Sequence, residues 1–311
     1  MAINSHQRNL ATLVDESLTS LPDVDLSDGK HDAGVFQVRA AGINFIRKKK
    51  PDFVSVTRGP GITAALAAGL EIAKGLAVAW QVPLIGVNHM QAHALTPRLV
   101  SAMKSSHAVD GEPRFPYLSL LVSGGHTMLV LSQSLCAHRI LANTADIAVG
   151  DAIDKMARSI LPASELDGQD PMYGRVLERY ASLGGPETMQ YVPPASRKQE
   201  ITPKVTDHGW ALPIPFGEER NMTFSFSGIG SAIKRICEAK PNMHKPERVA
   251  LAIECMRVSF EHLALRVVWA IERLREQGQD MTALVISGGV ASNGYLRKMF
   301  VQCSERQRGS D

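Results

Sequence analysis

Twice in this 311-residue chain a short apolar run breaks on glycines and gives way to helical periodicity, and that repeated unit restricts the fold more than any other feature. In the first copy Asp52 to Thr57 reads as a strand, Arg58-Gly59-Pro60-Gly61 as a turn, and Thr63 through Ala79 as a helix. In the second, Ala283 to Ser287 is the strand, Gly288-Gly289 the turn, and Ala291 to Glu305 a helix with Asn293 in its first turn. Strand, glycine turn and helix in two places predict an α/β protein made as a duplicated lobe with a cleft between the copies, although the copies share negligible identity. A glycine turn in front of a helix can cradle a phosphate, but the same turn joins strands to helices in many folds with no ligand nearby.

The segment VPLIGVNHMQAHALTPRL, Val82 to Leu99, carries the clearest candidate chemistry. Pro83 to Val87 reads as a buried strand, and Asn88 can cap a helix that places His89 and His93 on one face, where two imidazoles can share one metal ion. A His pair at this spacing is in most proteins only a polar helix face; here it lies just beyond the carboxyl end of a strand, where open α/β sheets put their ligands. A zinc protease would need a glutamate after the first histidine, and that position holds Met90. Upstream, Ser5 to Leu21 has helical spacing, and a second helix is expected from Ala33 to Lys49, its basic end Arg47 to Lys50 solvated and Pro51 stopping it. The polar stretch Ser105 to Pro113 is expected to separate two lobes, 1–108 and 109–311.

In the second half, Tyr117 to Val122 and Met128 to Leu131 flank Ser123-Gly124-Gly125-His126-Thr127, the pattern of a β-hairpin. Such a turn can be no more than a tight reversal, or its backbone N–H groups can cradle a phosphate. A strand from His138 to Ala142 precedes a helix from Asp146 to Ser159 that carries Asp151 and Asp154, and helix carboxylates are ordinarily surface groups. Pro162 to Phe216 reads as long loops around one helix, Gly174 to Leu183. The segment TFSFSGIG leads into a helix from Ser231 to Ala239, and Pro246 to Gln277 gives one or two long helices with Phe260 and Trp269 in the core.

Bulk properties exclude little. A net charge of +3 with pI near 8.7 permits a nucleic-acid partner without arguing for one. Four cysteines far apart suggest neither a disulfide framework nor a zinc knuckle. No apolar run is expected to reach the roughly 18 residues of a membrane span, and no membrane partner is expected. The N-terminus has no signal-peptide core, and the early Asp15 and Glu16 are unlike a transit peptide, so any organelle address is expected outside this sequence.

Taken together, SVTRGPG, NHMQAHALTPRL, LLVSGGHT, DAIDKMAR, FSFSG and ISGGVASNGYLR, in this order and spacing, closely resemble the family of tRNA threonylcarbamoyl transferases, in the form of its bacterial and mitochondrial branch. The resemblance implies an actin-like, sugar-kinase-like two-lobed fold with a cleft between the lobes. It implies a metal-dependent acyltransferase that moves the threonylcarbamoyl group of threonylcarbamoyl-AMP to N6 of the adenosine next to the anticodon, in tRNAs reading codons that begin with A. Carried over by position, His89 and His93 would hold one divalent ion, iron or zinc. Ser123, Gly124, Gly125, His126 and Thr127 would surround the adenylate and carbamoyl group, Asp154 and Gly174 would grip the ribose, and Asn293 would stand near the adenine. The family's usual Pro-Gly-Gly-Pro stretch reads Pro171-Met172-Tyr173-Gly174 here. The branch implies a mitochondrial matrix location, and a homodimer is compatible with it. An opening hairpin of the family and a closing Asp-Asn-x-x-Met-Ile motif, whose aspartate is the third metal ligand, have no counterpart in this sequence. The first sheet is therefore expected to be incomplete and the chain by itself poorly soluble, with little or no transfer to tRNA, which keeps open an alternative reading as a non-catalytic remnant that binds nucleotide or a partner protein.

Overall fold

Residues 2–24, 34–39, 45–104, 111–167 and 172–308 are described by a computed structural model, and they fall into two units, Met1–His93 and Ala94–Asp311. The architecture is mixed α/β, with three sheets among the described residues.

The first unit opens with helix α1 (Ala2–Thr19), followed by strands β1 (Val35–Arg39), β2 (Phe45–Lys49) and β3 (Val54–Gly59), helix α2 (Thr63–Trp80) and strand β4 (Leu84–Asn88); helix α3 (His89–Lys104) runs across the division. The helix expected from Ala33 to Lys49 is instead an antiparallel hairpin, with Val35 opposite Lys49 and Arg39 opposite Phe45; residues 25–33 and 40–44 lie outside the described set. Pairing settles the matter: the hairpin buries Val38, and also Lys48, whose Nζ lies 2.8 Å from Oδ1 of the exposed Asp23, so part of the basic run is a covered strand position and not a solvated helix end. The first strand–turn–helix unit is present as β3 and α2, and β3 pairs in parallel with β4 alone. Contrary to expectation, α2 is long and apolar enough, by length and composition only, to cross a membrane; within the first unit it packs on β3, β4 and α1.

The second unit holds strands β5 (Tyr117–Val122), β6 (Thr127–Ser132) and β7 (His138–Thr144), helices α4 (Val149–Ile160), α5 (Ala163–Leu166), α6 (Tyr173–Ala181) and α7 (Arg197–Ile201), strand β8 (Thr223–Phe224), helices α8 (Ser227–Ala239) and α9 (Lys245–Glu276), strand β9 (Leu284–Ser287) and helix α10 (Gly294–Arg308). Its five strands run β8-β7-β6-β5-β9, antiparallel through β5–β6–β7 and parallel at both edges. Every residue of β5 and β6 is buried, as their near-continuous apolar sequences require of strands covered on both faces. Helix α9 is a single helix of 32 residues with Pro246 in its first turn, and Phe260 and Trp269 on it are both buried. On this helix Arg257 bonds Glu254 and Glu261, Tyr191 donates to Glu261 at 2.8 Å, and the buried Arg266 donates to the carbonyls of Thr223, His262 and Pro215. The lobe boundary expected at Ser105 to Pro113 falls largely on residues 105–110, outside the described set.

Candidate functional site

The site in the second unit starts from α4. Its apolar residues Ala152, Ile153, Met156, Ala157 and Ile160 recur at helical spacing and are buried, which leaves Asp154 on the flank. The helix lacks a side-chain cap of its own, and neighbouring segments hold its start: Val149 N–H donates to Thr127 Oγ1 at 2.7 Å and Gly150 N–H to the Ser123 carbonyl at 3.1 Å. Gly150 is required there, because a Cβ would lie 2.7 Å from the Ser123 carbonyl oxygen. One residue cluster further upstream pins the same turn: Asp146 accepts from the hydroxyls of Ser225 and Ser227 and from the N–H groups of Phe226 and Ser227, so a carboxylate on the β7–α4 turn caps α8. Desolvation works to raise the Asp146 pKa, but the bonds from Ser227, Ser225 and Ile147 outweigh it and hold the carboxyl well below the usual range. This accounts for the TFSFSG stretch as a latch on α4.

A cavity of about 270 Å³ lies beside Asp154, and Gly124, Gly150, Gly174, Gly288, Gly289 and Asn293 line it with Asp154 itself. Gly174 N–H donates to Asp154 Oδ1 at 2.6 Å, which ties α6 to α4 at the cavity wall and leaves the second carboxylate oxygen as an acceptor. Four of the eight residues expected around an adenylate therefore meet at one cavity: Gly124, Asp154, Gly174 and Asn293. The other four, Ser123, Gly125, His126 and Thr127, form the hairpin turn and are not part of its lining. In that turn Ser123 Oγ accepts the N–H groups of Gly125 and His126, and Thr127 is fully buried with its hydroxyl on α4. Asn293 precedes the helix and caps it, its Oδ1 accepting from Tyr295 and Leu296 N–H, while its Nδ2 faces Met256 Sδ at 3.7 Å.

Sequence reasoning missed several lining groups. Glu178 stands four residues after Gly174 on α6, lines the cavity, and accepts the Gly294 N–H at 2.6 Å, so it joins α6 to the start of α10. The i, i+4 spacing from Gly174 was the available signal. Gly288 was read only as a turn; its φ of +106° and the overlap a Cβ would make with the Val122 carbonyl show why glycine is needed.

The histidine pair belongs to the first unit. Asn88 caps α3 as expected, its Oδ1 accepting from Met90 N–H at 2.9 Å and Gln91 N–H at 3.1 Å. The His89 and His93 rings lie edge to face with centroids 4.6 Å apart. Desolvation, then the charge of His89, lowers the His93 pKa, which favours the neutral imidazole that a metal requires. Two imidazoles one turn apart suit a divalent ion as part of its ligand set. Among the described residues no three His, Cys, Asp or Glu side chains gather at one point.

Residues 39–309 match the family model of the tRNA N6-adenosine threonylcarbamoyltransferases, TsaD. The chain belongs to this family. Relatives named as members include the mitochondrial enzyme of Schizosaccharomyces pombe, 34% identical over 96% of this chain and 60% of its own length. Others are the Brucella anthropi protein, 35% identical over 79% and 58%, and the Buchnera aphidicola protein, 32% identical over 81% and 62%. The chain thus spans about 60% of the length of the relatives it matches.

Proposed function

We propose that this chain serves the transfer of the threonylcarbamoyl group from threonylcarbamoyl-AMP to N6 of the adenosine next to the anticodon in tRNA, with the nucleoside part of the donor seated in the cavity of the second unit. The observation that carries this reading is the meeting of Gly124, Asp154, Gly174 and Asn293, taken from four separate stretches of the chain, at one cavity. Its volume of about 270 Å³ suits a nucleoside-sized group, at the small end of ligand pockets. Asp154 accepts a ribose hydroxyl on the oxygen that Gly174 leaves to it, and Glu178 offers a second carboxylate oxygen from α6. Ser123 to Thr127 set the start of α4 and, in this reading, flank the phosphate and carbamoyl group.

His89 and His93 would hold the divalent ion, iron or zinc, which when bound supplies Lewis-acid polarisation of an acyl or phosphoryl oxygen. No side chain need act as nucleophile. The exocyclic amine of the adenosine forms the new C–N bond and loses a proton, the bond from the acyl carbon to the phosphate oxygen breaks, and AMP leaves with the electron pair. In the same reading the chain takes an actin-like, sugar-kinase-like form with lobes 1–108 and 109–311, acts in the mitochondrial matrix, which the word mitochondrial in its S. pombe relative's name supports, and can pair with a second copy.

The test is calorimetric titration of the metal-loaded chain with threonylcarbamoyl-AMP, followed by addition of unmodified tRNA and mass spectrometry of its nucleosides. Asp154→Ala is expected to weaken donor binding by about 1.5–3 kcal/mol, the worth of charge-assisted hydrogen bonds, and to reduce transfer in step. Equal affinity of variant and parent would sink the assignment.

A further inference from the structure

The second unit has another and larger cavity, about 740 Å³, which shares no lining residue with the one beside Asp154. It lies between the start of α9 and two loops, one following α6 and one joining α7 to β8. Leu183, Val249 and Ile253 belong to its apolar part, and Lys204, Asp207, His208 and Lys245 to its polar part. Glu254 lines it too, but Arg257 donates to both carboxylate oxygens, at 2.7 and 2.6 Å, and compensates the charge. The two lysines differ from others in the chain. Lys48, Lys49, Lys74, Lys155, Lys234 and Lys240 each stand beside a carboxylate, whereas Lys204 and Lys245 have no ion pair among the described residues. Set against Asp207, they leave the lining with a net positive charge.

His208 is held as a platform. Its ring stacks on that of Trp210, with the planes 16° apart and the centroids 6.0 Å apart, and Trp210 is buried with its indole N–H on Glu247 at 3.0 Å. Backbone and side-chain bonds close the loop around it: the Thr206 N–H and hydroxyl both donate to the Trp210 carbonyl, Gly209 N–H donates to the Thr206 carbonyl, and Lys240 donates to the His208 carbonyl at 3.1 Å. An exposed ring fixed in this way loses little freedom when another ring stacks on it.

Two unpaired lysines would attract any anion. A supported aromatic ring in the same cavity narrows the choice, because single-stranded nucleic acid is held by cations on its phosphates and by aromatic faces on its bases. Asp207 adds an acceptor for a ribose 2′-hydroxyl or a base amine. We propose that this cavity binds an unstacked nucleotide of single-stranded RNA, its base on His208 and its flanking phosphates on Lys204 and Lys245, as a contact to tRNA separate from the donor site. The inference rests on the tRNA reading above for the identity of the partner and adds a place where that partner is held.

The experiment measures fluorescence anisotropy of labelled oligouridylate, unmodified tRNA and polyglutamate with the full chain over a series of salt concentrations, and titrates AMP separately. The variants are the double Lys204→Ala, Lys245→Ala, the single His208→Ala, and His208→Phe. All three positions are exposed, so these variants are expected to fold, with circular dichroism as the control. The double variant should weaken oligouridylate and tRNA and lower the slope of log affinity against log salt by roughly 1.4, the share of two single-strand phosphate contacts. His208→Ala should weaken both RNAs by about fivefold or more at unchanged slope, and His208→Phe, which keeps a ring face, should restore them. AMP affinity should be the same in every variant. Polyglutamate bound as tightly as oligouridylate, with His208→Ala leaving both untouched, would show a general anion surface and overturn the proposal. A loss of AMP binding in step with RNA would overturn it too, since the two cavities would then not act separately. A parent that binds tRNA while every variant matches it would overturn this contact and leave the tRNA reading standing; a parent that binds neither RNA would overturn that reading and the contact with it.

Discussion

Strands β5 and β4 are written in the same apolar residues, YLSLLV and LIGVN, yet every residue of β5 is buried and none of β4 is. The difference lies in what surrounds them. β5 has a hydrogen-bonded neighbour on each side, β6 and β9, within a sheet packed by long helices, whereas β3 and β4 pair only with each other. Leu84 and Ile85 of β4 stay more than a third exposed, as do Leu13, Phe53, Ile62 and Val78 elsewhere in the first unit. An apolar run is enough to make a strand; layers on both sides are needed to make it stabilising, at about 1.5–3 kcal/mol for each large side chain buried. The second unit has those layers, and the first unit's two-stranded sheets are of a size that is marginal alone.

The sharpest way to break this contrast is a matched pair of truncations. Leu120→Ala in β5, fully buried, should cost about 2–5 kcal/mol in denaturant unfolding, while Leu84→Ala in β4 should stay within about 1 kcal/mol. Similar losses would show that β4 is packed as well as β5. Next in size is Gly288→Ala, where positive φ and the Val122 carbonyl both oppose a side chain; a loss on the order of 1–3 kcal/mol is expected, with impaired nucleotide binding.

Asp146→Ala should come third. Removing the α8 cap is worth about 0.5–2 kcal/mol, read as a lower midpoint of the second unit's transition. The pH dependence has a definite sign. The folded pKa of Asp146 is depressed below its unfolded value, so its contribution is fully present above the ordinary carboxylate range and fades as pH falls from about 4 toward the lower folded value. The parent should therefore lose more stability between neutral pH and about pH 3 than Asp146→Ala does; identical acid profiles would remove the latch from the account. The smallest effect on stability belongs to the double variant His89→Ala, His93→Ala, expected within about 0.5 kcal/mol because both rings lie on a helix surface. Its bound divalent metal, measured by elemental analysis, should vanish all the same. Unchanged stoichiometry would refute the pair as ligands.

How much of this was legible in the sequence follows the same divide. The β5–β6 hairpin, the Asn88 cap and the long α9 were readable because each is fixed by local chemistry: a Gly-Gly turn between apolar runs, an amide before a helix, unbroken helical periodicity. The β1–β2 hairpin was not, since Val35, Phe36, Val38, Phe45 and Ile46 fit helical spacing until pairing with the opposite strand is known, and the burial of Lys48 with its bond to Asp23 cannot be read from a basic run. At the site, Asp154 and Gly174 were found through motifs, but that one bonds the other is a tertiary fact. Glu178 and the Gly288 conformation escaped for the same reason: their roles depend on α10 and β5, segments distant in the chain.

The central claim is that the donor's nucleoside occupies the cavity of the second unit. Hydrogen exchange with and without saturating AMP tests it directly. The account predicts added protection at Gly124, at the first turns of α4 and α6, and from Gly288 to Leu296, with β3 and β4 exchanging at unchanged rates. Protection confined to the first unit, with those cavity segments unaffected, would contradict it.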